Sequence, residues 1–161
     1  MTRTVSGAIV ALCAACMASG QATSSSLVVK VIAEVETRST QDGREIVRLV
    51  PASRVVPGDE VIYTLEIRNS GAAPVAEPTV INPVPAHMAY LADSATGPGA
   101  EVSYSIDGGH SFDWPENLRM VGADGSSRLA KPTDYTHIRW TLKNTLRVNS
   151  VAFARFRAVV K

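Results

Sequence analysis

Val56-Pro57-Gly58-Asp59-Glu60-Val61-Ile62-Tyr63-Thr64-Leu65-Glu66-Ile67-Arg68-Asn69-Ser70-Gly71 packs a turn, a strand and a second turn into one short stretch. Pro57 presets φ, Gly58 tolerates a positive φ, and the Asp59 carboxylate can cap nearby amides, so Pro57-Gly58-Asp59 reads as a turn. Val61, Tyr63, Leu65 and Ile67 then alternate with Ile62, Thr64, Glu66 and Arg68, the period of two expected of a strand with one buried face. Asn69-Ser70-Gly71 ends it. Such a unit belongs to a small all-β domain built from hairpins.

The flanks extend the pattern. Upstream, Leu27, Val29, Val31, Ala33 and Val35 alternate with Val28, Lys30, Ile32, Glu34 and Glu36 and predict a long first strand. Asp42-Gly43 is a hairpin signal. Residues 45–50 return as a second strand, which Pro51 stops or confines to a sheet edge. Downstream, short strands are expected at 79–81, 88–91, 101–106 and 111–114. Residues 115–134 show no period and read as a long connection. Residues 137–142 point Ile138, Trp140 and Leu142 one way, and 151–160 do the same with Ala152, Ala154, Phe156, Ala158 and Val160. Seven to nine strands with turn signals between them predict an antiparallel β-sandwich, all-β and Ig-like.

The 161 residues suffice for one domain. Arg3, an uncharged apolar run from Ala8 to Met17 and small residues at 18–22 read as a secretory signal peptide over residues 1–22. That leaves one domain over 23–161, periplasmic, secreted or on the cell surface. The run is too short for a transmembrane helix, and no longer one follows. Both cysteines, Cys13 and Cys16, lie in this leader. Leu12-Cys13-Ala14-Ala15-Cys16 loosely resembles a lipoprotein cleavage box with Cys16 as the acylated residue; ordinary cleavage is the expectation. Without Arg3 the chain carries 15 lysines and arginines against 15 carboxylates, which implies no bulk attraction to nucleic acid. The charges are unevenly spread: residues 57–127 are strongly acidic and 128–161 strongly basic. Pairing of the two inside one sandwich is the simpler explanation, and contact between subunits the sharper one.

Few residues suggest chemistry. Ser105-Ile106-Asp107-Gly108-Gly109-His110-Ser111-Phe112 resembles the Asp-box hairpin of sialidases and other β-proteins. Asp107 would accept turn amides, Gly109 supply a positive φ and Phe112 pack beneath, so the motif reads as structural, as do Pro57, Gly58, Asp59 and Trp140. His87, His110 and His137 stand at no metal-ligand spacing. Asp107, Asp113, Glu116 and Asp124 are weak calcium candidates on loops, with solvated acids the simpler reading. There is no Gly-x-Ser-x-Gly, and no cofactor motif. Trp114 is a contact candidate because it follows the hairpin; Leu27, Val29 and Val31 are others because a strand that pairs with a neighbour needs such alternation.

Three motifs then accumulate. Residues 56–64 with Asn69-Ser70-Gly71, then Asn82-Pro83-Val84-Pro85 with Tyr90 and Ser94, then Tyr104–Gly109 with Tyr135–Trp140, resemble the Ig-like repeat of bacterial and archaeal surface proteins. That repeat is catalogued as domain of unknown function eleven, here in a short single-domain proteobacterial form covering about residues 27–160. The resemblance implies an Ig-like sandwich outside the inner membrane and carries no catalytic residues. The expectation is an exported, non-enzymatic module that contacts a protein of the cell envelope or its own kind. The alternatives are a filament subunit assembled by strand addition, or a carbohydrate- or calcium-binding module.

Overall fold

A computed structural model describes residues 27–161. The leader, Cys13 and Cys16 lie outside the described residues. Ten strands run in the order β1 (Leu27–Gln41), β2 (Arg44–Pro51), β3 (Glu60–Asn69), β4 (Thr79–Pro83), β5 (Met88–Tyr90), β6 (Ala100–Ser105), β7 (Arg119–Val121), β8 (Ser127–Leu129), β9 (His137–Leu142) and β10 (Val151–Val160). A five-stranded sheet, β2-β1-β3-β10-β5, faces a three-stranded one, β4-β9-β6; β7 and β8 form a separate hairpin. Every strand pair is antiparallel. The chain is an all-β antiparallel sandwich.

The turns form where backbone chemistry dictates. Asp42 and Gly43 both take positive φ, 50° and 75°, as a two-residue primed turn requires, and Gln41 pairs with Arg44 across it. At the head of β3, Gly58 has φ 95° and the Asp59 carboxylate accepts the Val56 amide at 2.8 Å. Gly58 N–H donates to the Val160 carbonyl and Val160 N–H to that of Asp59, so this turn is stitched to the end of the chain. Pro51 ends β2, the edge strand, where a missing N–H costs no ladder bond.

β3 is central rather than half-buried. Val61, Leu65 and Ile67 enter the core as expected, but Ile62 and Thr64 on the other face are buried too. β1 and β10 flank β3 on both sides, and the side chains of Glu36, Arg157 and Arg155 lie across its outer face. Trp140, Ile138, Phe156 and Ala158 are fully buried, as the alternation of β9 and β10 predicts. Phe156 is the ring beside Trp140, at 6.1 Å between centroids, and Tyr63 stacks on Phe156 at 4.8 Å. Tyr63 thus sits one ring away from Trp140. Gly97 packs so closely that a β-carbon there would lie 3.3 Å from the Trp140 ring.

Two expectations over residues 111–134 fail. Residues 111–114 form no strand: only Asp113 bridges, to Tyr104. The stretch 115–134 is no structureless loop, for it holds β7, β8 and a 3-10 turn at Pro132–Asp134. Leu118 and Ala130 anchor this excursion in the core, and Ala130 N–H donates to the Leu118 carbonyl. Strands of three residues are too short to show a period, which is why the count rises to ten. β1 also runs to Gln41, six residues past the alternating segment.

Candidate functional site

The first candidate is the margin formed by β1 and β2. β1 divides its partners: Leu27–Glu34 pairs with β3, and Glu34–Gln41 pairs with β2 on the other side. The Ala52 amide donates to the Ala33 carbonyl, so the odd-numbered residues of β1 turn their peptide groups toward the β2 side. β2 does not reach further down. The N–H and C=O groups of Leu27, Val29 and Val31 therefore point to an edge on which no strand lies among the described residues.

The side chains at this edge are apolar and uncovered. Val29 and Val31 stand opposite Ile67 and Leu65, so they share the inward face, yet they are 40% and 46% exposed. The alternation of β1 is as predicted, but its burial is not. The opposing sheet has three strands against five and leaves Val29 and Val31 of β1 uncovered. Leu27, Ala33 and Val35 pack at the core margin. On the opposite face Val28, Val47, Leu49 and Phe153 are exposed as well. Sequence reading singled out neither Val47 nor Leu49; the outward face of β10, with Val151, Phe153, Arg155, Arg157 and Val159, does read as amphipathic from sequence.

Asp107 lies at the second candidate. Its Oδ1 accepts Ser105 Oγ at 2.7 Å and the amides of His110 and Ser111 at 3.0 Å, while Ser111 Oγ donates to Oδ2. These donors, the Ser105 hydroxyl first, hold its carboxyl far below the ordinary carboxylate range. Gly108 and Gly109 have φ 78° and 89°, and a β-carbon on Gly109 would lie 3.3 Å from the His137 ring. Phe112 is half-buried, with the Arg139 guanidinium over its ring 4.8 Å from the centroid.

The four acidic loop residues do not converge. Asp113 accepts the Trp114 amide and the Asn117 side chain, and Asp124 accepts Ser126 N–H and Oγ; these bonds lower both carboxyl pKa values. Among the described residues no group of three or more His, Cys, Asp or Glu could hold a metal ion. Trp114 is 41% exposed. The two charged halves meet inside the domain: Lys143 pairs with Glu101 at 2.7 Å and Arg157 with Glu60 at 2.6 Å. Among the described residues no helix is long and apolar enough to cross a membrane. Comparison with protein-family models, curated proteins and solved structures found no match.

Proposed function

We propose that this chain is an exported, non-enzymatic Ig-like module that works by protein contact in the cell envelope, through the free edge of β1. One observation carries the reading: Leu27, Val29 and Val31 turn toward an edge that no strand covers among the described residues, beside apolar side chains left exposed. An extended segment laid there gains main-chain hydrogen bonds for affinity and apolar contacts at alternate residues for specificity. Long open edges of this kind are hazardous in a protein that does not use them. The leader at residues 1–22 and the resemblance to surface-protein repeats support the compartment.

The filament alternative uses the same edge. β1 is held along Leu27–Glu34 by β3 of its own sheet, which favours a chain that accepts a strand over one that donates β1. The test is in-cell photo-cross-linking with a reactive side chain at Val29, and at exposed Thr145 as control. Adducts confined to Val29 support the reading, and a ladder of multiples of the chain mass identifies self-assembly. Equal yields at both positions, or none at Val29, overturn it.

A further inference from the structure

The open side of the larger sheet is a step. β2 covers β1 from Glu34 to Gln41 and stands out by one strand, while residues 27–33 of β1 lie one strand back. β2 runs eight residues, and the recess beside it has nearly that length. The upper part of the step, residues 37–48, is an arm that pairs only with itself. Apart from half-buried Ile46, all its residues are exposed. A two-stranded hairpin without a neighbour is marginal in water.

The backbone of β2 is in a fixed phase. Gln41 and Arg44 close the two-residue turn, so the even-numbered residues of β2 turn their peptide groups toward β1. Glu45, Val47 and Leu49 turn theirs to the outer edge, on which no strand lies among the described residues. The recess and the strand that projects beside it are thus both open edges, and both carry exposed apolar side chains: Val28, Val29 and Val31 on one, Val47 and Leu49 on the other.

We infer that β2 of a second copy fills the recess, in a closed dimer about a twofold axis normal to the sheet at the corner of the step. This rests on the reading of the β1 edge as a contact surface and names its partner. The axis makes β2 of the second copy run parallel to β1, and it fills both recesses at once. Bringing the two Pro51 ends to the corner sets the register. Val29, whose peptide groups point outward, then stands opposite Arg48 of the second copy, whose groups point away, as a parallel ladder requires. Val29 N–H donates to the Val47 carbonyl of the second copy, and Leu49 N–H of the second copy donates to the Val29 carbonyl. The faces agree as well. Leu27 and Val31, turned inward, meet Ile46 and Val50 of the second copy, and outward Val28 meets Val47 of the second copy. Pro51, which has no N–H to give, falls at the end of the ladder. Antiparallel pairing of β1 with β1 of a second copy would leave the β2 edge and the arm uncovered, whereas the step dimer closes both open edges.

The test measures the mass of the mature protein by analytical ultracentrifugation over a range of concentrations, with a dimer and no larger species expected. Val29→Pro and Val47→Pro each remove an N–H that points to an open edge, so the folded chain loses no ladder bond of its own. Each should raise the dimer dissociation constant about tenfold, with a melting temperature near the parent's. A second readout needs no proline. Residues 23–161 contain no cysteine, so introduced thiols are the only ones. Chains carrying Val28→Cys and chains carrying Val47→Cys should be joined by a short bis-maleimide when mixed, and neither should link to itself. Self-linkage of Val28→Cys chains identifies antiparallel β1 pairing and overturns the proposal, as do a ladder beyond two copies and unweakened association of either proline variant. A monomeric mass overturns it too. If that monomer still gives Val29 photo-adducts with another protein, the β1 edge remains a contact surface with a different partner; if it gives none, both readings fall.

Discussion

Replacing Trp140 tests the sandwich at its centre. The ring is fully buried, against Phe156 and Gly97. A tryptophan buries about 150–250 Å², and at about 25 cal/mol per Å² its loss removes roughly 4–6 kcal/mol of transfer free energy. One term acts the other way. Nε1 is buried without an acceptor, and deleting an unpaired buried donor returns about 1–3 kcal/mol. Trp140→Ala should therefore cost about 3 kcal/mol, the low end for such truncations. Trp140→Phe keeps part of the ring and drops the orphaned N–H, so it should cost no more than about 1 kcal/mol. Urea unfolding with an unchanged m-value measures both. Exposed Trp114 supplies a second readout: in either variant, emission should shift to the red and become fully quenchable by iodide. A Phe variant as unstable as the Ala variant refutes the argument from the unsatisfied donor. An Ala variant within about 1 kcal/mol of the parent refutes the core assignment itself.

Asp107→Ala should lower the melting temperature by a few degrees, because four donors lose their acceptor; an unaltered melting temperature argues against the staple. Acid should destabilise the protein in a defined window. Asp107, Asp113, Asp124 and Asp134 have folded pKa values below the ordinary aspartate value of 3.8, so their contribution is complete above it and is lost as pH falls through the folded values. Thermal melts should be level from about pH 6 to 5 and decline below about pH 4, and a flat profile to pH 2 contradicts the hydrogen-bond assignments. In alkali the sign reverses. Burial raises the Tyr63, Tyr104 and Tyr135 hydroxyls above 10.0, so the neutral rings stabilise the fold below that value and stop doing so as pH rises. Absorbance at 295 nm should show those three ionising above the ordinary tyrosine range; their reversible titration at pH 10 or below in a folded protein refutes their burial.

Most of the sandwich was legible because local signals and tertiary demands agree there. β9 and β10 occupy the residues their alternation predicts, and Asp42-Gly43 turns as its dipeptide requires. Burial on β1 was not legible. The pattern of Val29 and Val31 states which way they face, but whether anything lies above them depends on the width of the opposing sheet, which no local window contains. β3 fails in reverse, since its second buried face comes from two flanking strands far away in sequence. The packing of Tyr90, Tyr104 and Tyr135 into one buried aromatic cluster was invisible for the same reason, since the three belong to separate elements with no spacing to link them.

The placement of β10 governs how the molecule can come into being. β10 lies between β3 and β5, with Ala158 opposite Val61 and Arg155 opposite Thr64, so the middle of the larger sheet waits for residues 151–160. Until they emerge, β3 lacks a neighbour and the two sheets cannot close on Phe156. Folding must then join segments about ninety positions apart, a topology that is slow to cross its barrier. A chain leaving a ribosome stays open until residues 151–160 are free of it. Removal of β10 should leave no smaller folded remnant, which makes its arrival the step that commits the domain to structure.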